Sequence, residues 1–97
     1  MGLDFNFCDA YWSCSSFNAF RERLSKYIDK CDDPLVMLIN HSDCDGELTP
    51  EECAKIAPRL RAVVELWKDQ DIDKGRALEL AKGMEEAVRR NEPLEFL

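Results

Sequence analysis

Ninety-seven residues bound the chain to one domain, residues 1–97, with a modest core. A hydrophobic share of 45% and a charged share of 34% are ordinary for a water-soluble globular chain. A net charge of −7 argues against nucleic acid and against an anionic membrane as partners, because both repel an acidic surface; it leaves a protein partner or cations.

Residues 2–7 alternate: Leu3, Phe5 and Phe7 against Asp4 and Asn6. That is the pattern of a half-buried strand, and a strand needs a partner. The short, partly apolar segment Pro93 to Leu97 is its natural one, so the terminal segments are expected to pair. Asp9 to Ser15 reads as a loop from which Trp12 folds back onto the core. Ser15 or Ser16 then caps a first helix whose apolar stripe is Phe17, Phe20, Leu24, Tyr27, Ile28 and Cys31. Arg21, Arg23, Lys26 and Lys30 form the densest basic cluster, on its solvated face. Asp33 and Pro34 start a short second helix, Leu35 to Ile39, apolar all round and therefore expected at the centre.

The stretch His41-Ser42-Asp43-Cys44-Asp45-Gly46-Glu47-Leu48-Thr49-Pro50-Glu51-Glu52 follows. Asp45-Gly46 is a turn pair, since glycine takes positive φ without steric cost. Thr49 is an N-cap, Pro50 fits the first helical position, and Glu52 completes a capping box. The same residues resemble the calcium loop of an EF-hand. With Gly46 on the obligatory glycine, Asp43 and Asp45 take the third and fifth positions. Leu48 then falls on the apolar eighth, Thr49 on the ninth and Glu52 on the twelfth. The pattern departs at the first position, where His41 replaces an aspartate, and there is no second copy. The resemblance implies a divalent-cation site of His41, Asp43, Asp45 and Glu52, calcium first. His41 and Cys44 at this spacing are also half of a zinc site, which makes zinc the second choice. A carboxylate-rich turn feeding a capped helix explains the same residues without an ion. The string, together with Glu92-Pro93-Leu94-Glu95-Phe96, is also similar to a group of small bacterial and phage proteins; that likeness implies no activity.

A third helix starts at Pro50, with the stripe Cys53, Ile56, Ala57, Leu60, Val63, Val64 and Trp67. The stripe keeps phase across Pro58, so a kinked single helix is expected there. Arg59, Arg61, Glu65 and Lys68 form its wet face. A fourth helix runs from about Ile72 to Arg90, with Ala77, Leu80, Ala81, Met84, Ala87 and Val88 inward. Gly83 admits a close neighbour, Trp67 or Trp12, and Asn91 is the C-cap. The fold class is thus mainly α, a small bundle of three to four helices with a short two-stranded sheet joining the N- and C-terminal segments.

Five cysteines, an odd number without a signal-peptide pattern ahead of them, point to reduced thiols in the cytoplasm. Cys31 and Cys53 sit at core spacing; Cys8 and Cys14 read as packed thiols rather than a redox pair. Three functions compete. The first is a non-enzymatic module that binds a protein partner. The second is a divalent-cation module built on the acidic loop. The third and weakest is an enzyme with a His41/Cys44 nucleophile pair, for which no oxyanion motif is visible.

Overall fold

A computed structural model describes residues 2–41 and 46–96. Among the described residues there are four short strands and four helices. They are β1 (Gly2–Leu3), β2 (Trp12–Ser13), α1 (Cys14–Ser25), α2 (Leu35–Ile39), β3 (Glu47–Leu48), α3 (Pro50–Val64), α4 (Ile72–Arg90) and β4 (Leu94–Glu95). The mainly α class with small antiparallel ladders agrees with the expectation above.

The strands form two antiparallel pairs. β1 pairs with β2 (Gly2 opposite Ser13, Leu3 opposite Trp12), and β3 with β4 (Glu47 opposite Glu95, Leu48 opposite Leu94). A single bridge, Phe5 opposite Phe96, joins the terminal segments. Asn6 reinforces that junction: its side-chain amide donates to the Pro93 carbonyl at 3.2 Å, and its carbonyl accepts from the Glu95 N–H at 3.0 Å. The two ends of the chain therefore meet, while each takes its longer ladder from an internal strand. Leu3 and Phe5 are buried and Asp4 is exposed, as alternation requires.

Ser13, in extended backbone, caps α1; its hydroxyl accepts from the Ser16 N–H at 3.2 Å. Ser15 and Ser16 are inside the helix rather than at its start. Phe17, Phe20 and Leu24 are fully buried. The helix ends at Ser25, so its periodicity does not carry on to Cys31, which is exposed and not a core residue. In α2 Pro34 takes the N-cap position; Asp33, expected there, lies one residue earlier, and its carboxylate accepts from the Leu35 N–H at 3.0 Å. Leu35 and Leu38 are buried, whereas Val36, Met37 and Ile39 are half-buried. A five-residue helix at the margin of the bundle covers one face, not all of them.

α3 and α4 form the largest helix–helix interface. Thr49 caps α3 with a complete capping box: Thr49 Oγ1 accepts from Glu52 N at 3.2 Å, and Glu52 Oε1 accepts from Thr49 N at 2.9 Å. α3 continues through an exposed Pro58 as one element, and its expected stripe is buried throughout. Trp67 packs into the core just past its end. α4 is capped by Asp71 and closed by Asn91 in the left-handed conformation, φ 53°, with the Glu92 N–H returning to the Ala87 carbonyl at 3.0 Å. Val88, expected inward, is 41% exposed, because α4 lacks a neighbour on that flank in its last turn. Gly83 faces Cys8 rather than a tryptophan. A Cβ at position 83 would lie 2.8 Å from Cys8 Sγ and 2.9 Å from Cys8 Cβ. Its missing side chain is what lets the N-terminal segment lie on α4.

Candidate functional site

The acidic loop joins α2 to α3 beside the C-terminal strand. Between Lys30 and Lys55 the chain has seven carboxylates and no lysine or arginine, so this stretch alone accounts for the net charge of −7. Glu47 and Glu95 face each other across the β3–β4 ladder, and like charges in that position oppose pairing.

His41, Gly46 and Glu52 are described; Asp43, Cys44 and Asp45 lie outside the described residues. The His41 ring stacks on Phe96, 4.2 Å between centroids and 26° between planes. Its Nε2 lies 3.0 Å from the Glu47 carbonyl oxygen, which makes Nε2 the N–H donor. Gly46 has φ +94°, and a Cβ there would sit 3.1 Å from His41 Cε1. The Gly46 carbonyl accepts from the Phe96 N–H at 2.9 Å. Arg21 ties down the other end of the loop, donating to the carbonyls of Ile39, at 3.1 Å, and His41. Arg21 also lies over the Phe17 ring, 4.9 Å from its centroid. His41 thus packs on Phe96 and bonds a backbone carbonyl, and one Glu52 oxygen serves the cap of α3. Among the described residues no group of three or more His, Cys, Asp or Glu side chains is placed to hold a metal ion.

This geometry predicts the effect of Gly46→Val. A β-branched residue at positive φ is strained, and its side chain would also press on the imidazole. The expected loss is about 1–3 kcal/mol, read from the urea midpoint. A midpoint equal to that of the wild type would show that the turn does not need glycine.

Two of the described thiols, Cys53 and Cys8, are held away from the thiolate form. Cys53 is buried, its Sγ 3.8 Å from the Leu48 carbonyl, and burial pushes its thiol up to about 11. Burial also raises Cys8. Cys8, Cys14, Cys31 and Cys53 form no disulfide. A nucleophilic cysteine needs the opposite environment, one that favours the thiolate.

A second cluster lies where α1 meets the start of α4. The Arg23 guanidinium bonds Asp71 at 2.8 Å and Asp73 at 3.0 Å, and stacks over Trp67 at 3.8 Å from the ring. Trp12 Nε1 donates to the other Asp73 oxygen at 3.2 Å. Arg23 is not a solvated residue of a basic face; it locks the α4 N-terminus to the aromatic core. Arg59, also expected wet, bonds Asp33 at 3.1 Å and the Tyr27 carbonyl at 2.9 Å. Helical spacing marks which face a residue occupies, and it does not reveal that a neighbouring helix places its capping aspartates opposite that face.

Hydrogen bonding by Arg23 holds the Asp71 carboxyl below its ordinary range. A depressed folded value means the stabilisation is present above the unfolded value, about 3.9, and is lost as pH falls through the lower folded value. The melting temperature should therefore fall below about pH 4. Arg23→Met should make that fall shallower while lowering the melting temperature at pH 7. Parallel pH profiles for the two proteins would show that the pair carries no linkage.

Comparison with known proteins finds no matching family model, no matching curated protein and no matching solved structure.

Proposed function

We propose that this chain is a small acidic cytoplasmic module that binds a protein partner and performs no chemistry of its own. One observation carries the reading. Among the described residues the two most exposed large apolar side chains, Leu66 at 73% and Ile72 at 70%, lie in or beside the connection between α3 and α4, at the same end of that hairpin. Exposed aliphatic side chains at one place are candidates for burial by a partner. Net charge favours a basic protein over nucleic acid or an anionic bilayer. No helix among the described residues is long and apolar enough to cross a membrane.

Leu66→Glu/Ile72→Glu tests it. Both side chains are exposed, so the melting temperature should stay within about 1 °C of wild type. Affinity capture with the intact protein should recover a partner that the double variant loses. Equal recovery by both proteins would remove the α3–α4 end from the interface.

A second reading is a divalent-cation module, with calcium first and zinc second, at His41, Asp43, Asp45 and Glu52. Gly46 at positive φ and the uncompensated Glu47–Glu95 pair favour it. A cation at a hundred times its dissociation constant would add about 2.7 kcal/mol of stability. Calcium and zinc titrations followed by melting temperature check this, and Asp43→Asn should abolish any gain. An unchanged melting temperature with both ions ends the reading.

A further inference from the structure

We infer that the groove flanking Phe7 is the docking surface for an extended, lysine- or arginine-bearing segment of a partner protein. This deepens the interaction reading above and rests on it only for the partner being a protein. Residues 6–9 run beside α4, and a groove of about 510 Å³ opens between them. A second, of about 390 Å³, lies between Asn6–Phe7 and the segment leading into β4. Asn6 and Phe7 line both, so the two form the halves of one surface channel.

Phe7 is the odd phenylalanine of the chain. Phe5, Phe17, Phe20 and Phe96 are buried, whereas Phe7 is half-buried in the wall of this channel. A cation already uses its ring: the Arg90 guanidinium lies 5.1 Å from the centroid. Within the channel Glu79 pairs with Lys82, and Glu86 with Arg90. Asp9, Glu92 and Glu95 also line it, and among the described residues no cation pairs with them. The channel therefore offers an aromatic surface for an aliphatic stem and three uncompensated carboxylates for its charged end. A long basic side chain has both parts. With Lys82 and Arg90 already paired to Glu79 and Glu86, an acidic segment or a phosphate backbone would meet a net negative lining there.

The probe is a fluorescein-labelled nonapeptide of alternating arginine and serine, titrated at low ionic strength, where weak charge pairing is visible. Amide chemical shifts are followed in parallel. The expected result is saturable binding, with shifts concentrated on residues 6–9, 82–90 and 92–95. Phe7→Leu should weaken binding about threefold by removing the ring face. Asp9→Asn/Glu92→Gln should weaken it about tenfold. Both substitutions lie at exposed or half-exposed sites, and melting curves confirm folding. Leu66→Glu/Ile72→Glu should bind the peptide as wild type does. Shifts confined to Glu47–Glu52, affinity unaffected by Phe7→Leu, or no binding would each overturn the assignment. Any of them would leave the capture experiment on Leu66 and Ile72 to be decided independently.

Discussion

Replacing Trp12 with alanine is expected to cost about 3–5 kcal/mol, the largest single loss in the chain. Trp12 is wholly inaccessible and touches three other rings. It stacks on Phe20 at 4.9 Å and 23°, tilts against Phe17 at 5.3 Å, and meets Phe5 edge-on at 6.4 Å. Truncation deletes those contacts and leaves a cavity that β2, fixed to β1 on one side and continuous with α1 on the other, cannot close. The bond from Nε1 to Asp73 goes as well, which loosens the start of α4. A domain of this size has about 5–15 kcal/mol in total. Trp12→Ala should thus lower the urea midpoint by about a fifth or more and weaken the near-ultraviolet circular dichroism. Trp12→Phe keeps most of the packing and should lose only about 1–2 kcal/mol. A loss below about 1 kcal/mol for Trp12→Ala would mean that the aromatic cluster is not the centre of the core.

The second large effect is expected at Phe96. Its ring lies 4.9 Å from Phe5, 6.3 Å from Phe17 and 4.2 Å from His41, while its N–H holds Gly46. Phe96→Ala should cost about 3–4 kcal/mol. The damage should be local before it is global. Amide exchange at Leu48 should accelerate more than at Leu60 or Leu80, because among the described residues β3 pairs with β4 alone and β4 would lose its anchor. Phe96→Leu keeps the burial without the stacking, and it should restore most of the stability but not the ring-current shift of the His41 imidazole protons. If Leu48 and Leu80 lose protection equally, the loop is not a separable unit.

These two residues also mark where the chain's own letters are informative. α3 and α4 are legible almost to their bounds, because each has a long apolar stripe and chemical punctuation at its ends: Thr49-Pro50 for one, Asp71 and Asn91 for the other. α1 is legible in Phe17, Phe20 and Leu24 and misplaced at both ends. Three serines compete for the cap, and what selects Ser13 is the β1–β2 pairing, which holds it extended. Ladders two residues long carry too little alternation to name their partners, so the internal strands β2 and β3 escape notice. At the site, turn and cap were legible from Gly46, Thr49 and Glu52, since those are local rules. The role of His41 was not. Its contacts include Phe96, far along the chain, and a backbone carbonyl, and neither leaves a mark in residue spacing.

The contacts of Asn6 with Pro93 and Glu95 span 87 and 89 residues of chain, and the bridge from Phe5 to Phe96 spans nearly the whole of it. Vectorial synthesis releases the N-terminal end first. Phe5 and Asn6 must then wait, unsatisfied, until residue 96 has cleared the ribosomal exit tunnel. Until then the aromatic cluster cannot close, and a nascent chain stalled before residue 93 would display Trp12 and Phe17 to whatever chaperone is near.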